Sequence, residues 1–508
     1  FYLLSALLMY VISIVMIDIS KSVVFQMRQD LFEKLNRLPI QYFDNHQTGD
    51  IISKMSYDID TINQSLAGDV IVLITSFLTI TISLTVMILT APLLVLIFAV
   101  TIPIAILLTT VLSKIVKRRF RARNQKLGEM NGYAEEMITG HQSVKSYVLE
   151  ETVIEDFQKI NHDAAEKSYA AGYYATAVMP SVGFINNLSM ALVGVFGGIL
   201  YVSNMMTLAI LTSFTLYSRR FSGPINQLSG LFAEIQSALS ASERVFSVLD
   251  ADEEVKDIEE AKNYDHEGGH VTLSNISFSY DGEQEVLTNI DVDAPKGDVV
   301  AIVGPTGSGK TTLVNLLMRF YDPKQGAITV DGHPILSFKR ETLRKAFSMI
   351  LQDSWVFYGT IYDNIAYGNG DVTKEDIIEA AKAAHIHDYI MSLDDGYETI
   401  LKHDGNTLSK GQKQLIVIAR AMLSKTNMLI LDEATSNVDT QTEIKIHKAM
   451  RKLMKDKTTF VIAHRLSTIQ DADLIMVIHF GKMIELGTHQ SLLKQQGFYA
   501  NLFNSQFK

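Results

Sequence analysis

The chain has 508 residues, 47% of them hydrophobic and 20% charged, with a formal net charge of -11. A mean hydropathy of +0.14 is too high for a wholly water-soluble chain of this length, and the charge content is too high for a wholly membrane-embedded one, so two regions in different solvents are expected. The acid excess speaks against a nucleic-acid partner, and the absence of cysteine excludes disulfides, zinc clusters and thiol catalysis.

Crossing a bilayer takes about 20 mostly apolar residues. Five such spans are read. The first runs from Phe1 to Phe25. The apolar stretch from Asp69 to Ser113 exceeds one crossing and is broken at Ala91-Pro92, where proline and its restricted predecessor favour a turn, so it reads as two helices. The last two spans run from Val182 to Val202 and from Thr207 towards Phe221, separated by Ser203-Asn204. The chain opens at Phe1 in an apolar run with no basic leader, which reads as a truncated chain rather than a signal peptide.

Lys and Arg beside the spans are retained on the cytoplasmic side. The run Lys114, Lys117, Arg118, Arg119, Arg121, Arg123 and Lys126, and the group Arg28, Lys34 and Arg37, are therefore cytoplasmic. Counting crossings from these anchors puts Phe1 outside, so one earlier helix is expected to be missing. Residues 26 to 68 and 114 to 180 keep helical periodicity with mixed charge, as in the stripe Leu127, Met130, Ala134, Met137 and Ile138, and extend the helices into the cytoplasm. Arg219 and Arg220 fall within the last span, where they either meet an anionic amphiphile or snorkel to headgroups.

Residues 1 to 247 thus form a membrane domain, 248 to 268 an acidic linker, and 269 to 508 a domain in which apolar strands alternate with helices, an α/β pattern. Within it, the strand Val299 to Val303 leads into Gly304-Pro305-Thr306-Gly307-Ser308-Gly309-Lys310-Thr311-Thr312, and a helix follows from Lys310. Gly304, Gly307 and Gly309 let backbone amides turn onto a triphosphate, Lys310 reaches its β and γ phosphates, and Thr311 offers a hydroxyl to Mg²⁺. A second buried strand, Met428 to Leu431, ends in two acids. Asp432 would hold the metal and Glu433 would polarise the attacking water.

These residues resemble the nucleotide-binding domain of ATP-binding cassette (ABC) transporters across residues 270 to 503. Leu408-Ser409-Lys410-Gly411-Gln412 resembles the family signature, normally Leu-Ser-Gly-Gly-Gln, and Ser436-Asn437-Val438-Asp439 resembles its D-loop. The resemblance assigns Gln352 to the Q-loop with a share in the metal site, His464 to a γ-phosphate contact, and Tyr280 to adenine stacking. Ser409, Lys410, Gly411 and Gln412 would grip the ATP held by an opposite subunit, so a dimer sandwiching two ATP molecules is implied. The membrane half resembles the exporter branch called type IV. Tyr42 to His46 and Val144 to Tyr147 resemble coupling helices that dock on the ATPase near Gln352.

Three positions depart from the family: Lys410 stands where the first signature glycine is usual, and Lys402-His403 where a Gly-Glu pair is common. Together they resemble one half of an asymmetric exporter, which makes a heterodimer with one degenerate ATP site the favoured assembly over a homodimer. The expected activity is ATP-driven export of an amphipathic drug, lipid or peptide from a bacterial inner membrane, with the ATPase domain in the cytoplasm. The alternatives are an ATP-gated channel, a regulatory membrane protein or a homodimeric lipid flippase.

Overall fold

The computed structural model describes residues 1–265, 268–282, 284–352, 354–402, 408–432, 439–463 and 469–506, with the side chains of 226, 229, 230, 232, 233 and 506 left aside. It divides into two compact units, Phe1–Arg37 with His46–Asp252, and Leu38–Asn45 with Glu253–Lys508. Helix α10 continues to Leu249, and the second unit takes over from Glu253.

The first unit is helical. It contains α1 (Tyr2–Arg37), while α2 (Ile40–Asn45) groups with the second unit. Helices α3 (Thr48–Ser53), α4 (Ile59–Gln64) and α5 (Val70–Thr90) run on through π-helical turns at Lys54–Asp58 and Ser65–Asp69. Then come α6 (Pro92–Thr139), α7 (His141–Ser146), α8 (Glu150–Thr176), α9 (Val178–Val202) and α10 (Leu208–Leu249). The break falls at Ala91-Pro92 as expected: Ala91 adopts φ −153 and ψ 76, and Pro92 opens α6, where its missing N–H has no helical partner to lose.

Among the described residues, Tyr2–Arg37, Thr48–Thr90, Pro92–Thr139 and Glu150–Val202 are long and apolar enough to cross a membrane. The fifth expected span is helical too, as the first part of α10, but Arg219 and Arg220 lower its mean hydropathy. Their neighbours Ser218 and Phe221 pack inward, whereas the two arginines are exposed. Phe221 lies edge-on to Phe98, 5.7 Å between ring centroids, in a cluster with Met87, Leu94, Val193 and Phe214.

Near the end of α10, Arg244 reaches back to Asp58 in the first π-helical turn, donating at 2.9 and 2.6 Å to its two carboxylate oxygens. Asp58 is 3% exposed, so this fork is what makes its charge tolerable there. Arg244→Ala strands that carboxylate. We expect a loss of about 2 kcal/mol, below the range for a fully buried pair because Arg244 itself is half exposed. Thermal unfolding in detergent, compared with the Asp58→Asn/Arg244→Ala double variant, measures it, and the double variant should recover part of the loss.

The second unit is α/β. Its strands are β1 (Val271–Phe278), β2 (Leu287–Ala294), β3 (Val299–Val303), β4 (Gln325–Val330), β5 (His333–Pro334), β6 (Phe347–Ile350), β7 (Gly359–Thr360), β8 (Ile400–Leu401), β9 (Met428–Asp432), β10 (Thr458–Ile462), β11 (Leu474–His479) and β12 (Lys482–Gly487). Among the described residues one sheet has the order β5-β4-β1-β2-β12-β11-β3-β10-β9-β6. Strands β11, β3, β10, β9 and β6 pair in parallel, and β1, β2, β4 and β5 form an antiparallel flank.

Helices α11 (Lys310–Leu317), α12 (Arg340–Lys345), α13 (Ile361–Ala366), α14 (Lys374–Ala383), α15 (His387–Met391), α16 (Lys410–Leu423), α17 (Thr440–Met454), α18 (His489–Gln495) and α19 (Phe498–Gln506) surround it. The parallel strands are apolar on both faces because both are covered. Leu429, Leu431 and Val461 join the cluster containing Leu415 and Ile446, while Ile430, Phe460 and Ile462 join the one containing Leu313 and Leu316.

The start of the acidic run is anchored to the ATPase unit rather than free. Asp257 accepts from Arg319 at 3.2 Å and Arg340 at 2.9 Å, and Glu254 accepts from Arg344 at 2.5 Å. Arg319 is 4% exposed, so the acids after α10 supply the counter-charge that lets it sit in this unit.

Candidate functional site

Register brings the motif-bearing loops to one sheet edge. Ile302 of β3 is level with Ile462 of β10, Ile462 with Asp432 of β9, and Leu431 with Ile350 of β6. The glycine-rich turn after β3, the carboxylate closing β9 and the Gln352 loop after β6 therefore leave the sheet side by side at its carboxyl edge, where open α/β sheets bind ligands. Glu433 and His464, next in sequence after Asp432 and Ala463, lie outside the described residues, as does 436–438.

The turn needs its glycines sterically. A Cβ on Gly304 would lie 2.1 Å from the Ile478 carbonyl oxygen. Gly309 has φ +103 and would meet Leu287 at 2.6 Å. Gly309 is the N-cap of α11, so free amides at the helix start face the loop. Pro305, Thr306 and Gly307 are exposed at its rim, and Ser308 is buried with its hydroxyl unmatched by any described partner.

Lys310 curls over this turn, its ammonium donating to the carbonyls of Gly304 and Pro305 at 2.9 Å each. Burial pushes its pKa below the usual lysine value, against the opposing pull of the Asp432 charge. A buried cation, inward amides and an unmatched hydroxyl suit a triphosphate. Thr311 is exposed at the mouth and Asp432 is near enough to act on Lys310. These are hard oxygen donors that suit Mg²⁺, which usually takes one or two side chains and completes its shell with phosphates and water. Gln352 is exposed on its loop.

Tyr280, two residues past β1, donates its hydroxyl to the Thr312 side chain at 3.0 Å. Its ring stays 39% exposed and meets Phe278 and Tyr321 edge-on, at 4.9 and 5.0 Å. Tyr321 was not legible as a functional residue: it follows α11 in a short aromatic pair, Phe320-Tyr321, with no motif of its own. Its hydroxyl donates at 2.5 Å to Asp44 of α2. Asp44, in the segment Tyr42 to His46, thus meets the ATPase fold beside Tyr280.

The signature segment folds as a helix start. Ser409 accepts from the Gln412 amide at 3.2 Å and Gln412 returns the bond to the Ser409 amide at 2.8 Å, a closed capping box on α16. Lys410 is exposed at the first helical position and Gly411 is buried behind it. Asp439 is the N-cap of α17, accepting from the Thr442 amide at 2.9 Å, which holds its carboxyl below the usual aspartate range.

The ABC transporter transmembrane region model matches residues 1–225, and the ABC transporter model matches 287–436. An uncharacterized ABC transporter ATP-binding protein of Bacillus subtilis, YfiC, is 40% identical over 100% of this chain and 84% of its own length. The chain belongs to the ABC transporter family. A fatty acid ABC transporter ATP-binding/permease protein of Mycobacterium tuberculosis is 41% identical over 98% of this chain and 79% of its own length. A bacterial Atm1-family ABC exporter solved with ATP bound superposes with a TM-score of 0.77 at 28% identity, covering 97% of this chain and 86% of that one.

This ABC transporter is therefore a fused half-transporter of the exporter type. It binds and hydrolyses ATP to drive export, resides in the membrane with its ATPase domain in the cytoplasm, and works as a dimer in contact with lipid.

Proposed function

We propose that this exporter forms a heterodimer with one degenerate ATP site and moves an amphipathic or hydrophobic compound outward. The observation that carries the assembly is Lys410. The capping box around it is closed, so the α16 terminus keeps its shape while a cationic side chain replaces a glycine hydrogen at the surface offered to the opposite nucleotide. The partner is then a half-transporter whose own catalytic carboxylate is substituted. Purified alone in lipid, the chain should show little cooperative ATP turnover, and co-expression with that partner should restore it. Cooperative turnover and transport by the single chain would overturn the assembly.

Within the intact site, Gly304 to Thr312 cradle the phosphates, Tyr280 stacks on adenine, and Thr311, Asp432 and Gln352 hold Mg²⁺ with the help of water. The metal, when bound, offsets charge on the β and γ phosphates. Glu433 takes a proton from the attacking water, His464 contacts the γ-phosphate, and Ser409, Lys410, Gly411 and Gln412 contact the nucleotide of the opposite subunit, with Asp439 holding the D-loop end. The compound carried is of the drug, lipid or peptide class. The relative described as a fatty acid transporter favours an anionic lipid-like cargo, for which the exposed Arg219 and Arg220 on α10 supply charge.

Lys310 gives this reading a pH signature. Its pKa is lowered in the free protein by burial, and the phosphates raise it again in the complex. Binding therefore favours the protonated form. ATP affinity should fall as pH rises through the free-protein pKa of Lys310, and binding between the two pKa values should take up protons. Calorimetry in buffers of differing ionisation heat measures that uptake.

A further inference from the structure

We propose that Gly481 is a positioning residue for ATP: its amide pins the Ser308 carbonyl and so aims the Gly309 amide at the phosphates. The proposal rests on the reading of 304–312 as the phosphate cradle. Strands β11 and β12 are joined by the two-residue turn Phe480-Gly481, with His479 level with Lys482. Both turn residues have positive φ, 45 and 75, as a tight hairpin matched to the strand twist requires. This hairpin end lies against both ends of the glycine turn. The Ile478 carbonyl oxygen is 2.1 Å from where a Cβ on Gly304 would fall, and the Gly481 amide donates to the Ser308 carbonyl at 3.2 Å.

The second contact sets a direction. The Ser308 carbonyl and the Gly309 N–H belong to one planar trans peptide and point opposite ways. Fixing the carbonyl on Gly481 therefore sends the Gly309 N–H away from the hairpin. Gly309 is buried, and its amide has no acceptor among the described residues. A buried donor without a partner is costly until a ligand meets it, and a phosphate oxygen is the strongest acceptor for it.

Gly481 is itself wedged in place. A Cβ there would lie 2.4 Å from the Val286 carbonyl oxygen, and a Cβ on Gly309 would lie 3.1 Å from the same atom. The Gly481 carbonyl accepts from the Thr288 amide at 2.8 Å. The residue that pins the loop and the residue it aims thus close on one support, the start of β2, which leaves the Ser308-Gly309 peptide little room to turn over.

Gly481→Ala drives a Cβ into the Val286 carbonyl and should move the hairpin off Ser308. In the membrane-reconstituted transporter the probes are Mg-ATP and Mg-pyrophosphate, which carries no adenine. Affinity for both should fall by the same factor, about tenfold, the worth of one hydrogen bond to a charged group. KM for ATP should rise with kcat little changed, because the Gly309 amide holds the phosphates alike before and during hydrolysis. Phe480→Asn suits the left-handed position and leaves the Gly481 amide in place, so both affinities should hold.

A glycine needed only for the fold would lower thermal stability without nucleotide and spare pyrophosphate affinity. That result overturns the proposal, as does an equal loss in Phe480→Asn. Amide exchange in the unaltered protein tests the bond without any substitution: the Gly481 amide should exchange more slowly than that of Phe480 and slow further with Mg-pyrophosphate. Equal rates for the two amides in both states overturn it. Absence of pyrophosphate protection at 304–312 instead overturns the cradle reading beneath the proposal, whatever Gly481→Ala does.

Discussion

Replacing Glu433 by glutamine is expected to cut steady-state phosphate release by about 10²–10⁴-fold, the usual contribution of a positioned general base, while leaving ATP binding nearly intact. Glu433 directly follows Asp432, the last residue of β9. Asp432 is level with Ile462, one residue short of the point where β10 gives way to Ala463. Strand β9 thus ends at Asp432 between the strands that carry the phosphate loop and the Gln352 loop. An amide of the same size keeps a hydrogen bond to water but takes no proton from it. The split between lost turnover and kept affinity is the informative part: phosphate release and nucleotide retention measured on one preparation give both. Unchanged release would remove Glu433 from the chemistry, and joint loss of binding and release would point to a folding fault.

Much of the catalytic edge was legible in the sequence because its signals are local. A strand, a glycine turn and the start of a helix occupy 14 consecutive residues from Val299 to Thr312, and Asp432-Glu433 adjoins one apolar run, so no tertiary information was needed to join them. The helix after Ser409 was legible for the same reason, its capping partners being three residues apart. The break at Ala91-Pro92 follows from proline geometry alone.

What was illegible depends on distant pairing. Asp44 and Tyr321 are 277 residues apart, and neither carries a pattern that announces the other. Asp58 and Arg244, 186 apart, are ordinary surface residues in one dimension, and in three a half-exposed arginine forks onto a buried carboxylate. Residues 248 to 268 read only as an acidic linker because composition says nothing about Arg319, just past α11, and the arginines of α12, with which Asp257 and Glu254 pair.

Lys310→Met is expected to cost ATP more than it costs the fold. The methionine keeps most of the stem that occupies the buried position beside Gly304 and Pro305, so the packing of α11 against β3 should survive. Removing the charge relieves a burial penalty in the free protein, visible as the lowered lysine pKa, and thermal stability without nucleotide should hold or rise slightly. With nucleotide the sign reverses. A unit charge about 4 Å from a phosphate at an effective dielectric of about 20 is worth about 4 kcal/mol, which sets an upper scale of about 10³-fold on kcat/KM. The stabilisation that saturating ATP gives the intact protein should shrink with it, because ligand stabilisation follows affinity by mass action. Thermal unfolding with and without Mg-ATP, alongside turnover, separates the two effects. A Lys310→Met protein that is destabilised without nucleotide but gains the full increment from ATP would place the lysine in the fold and outside the phosphate site.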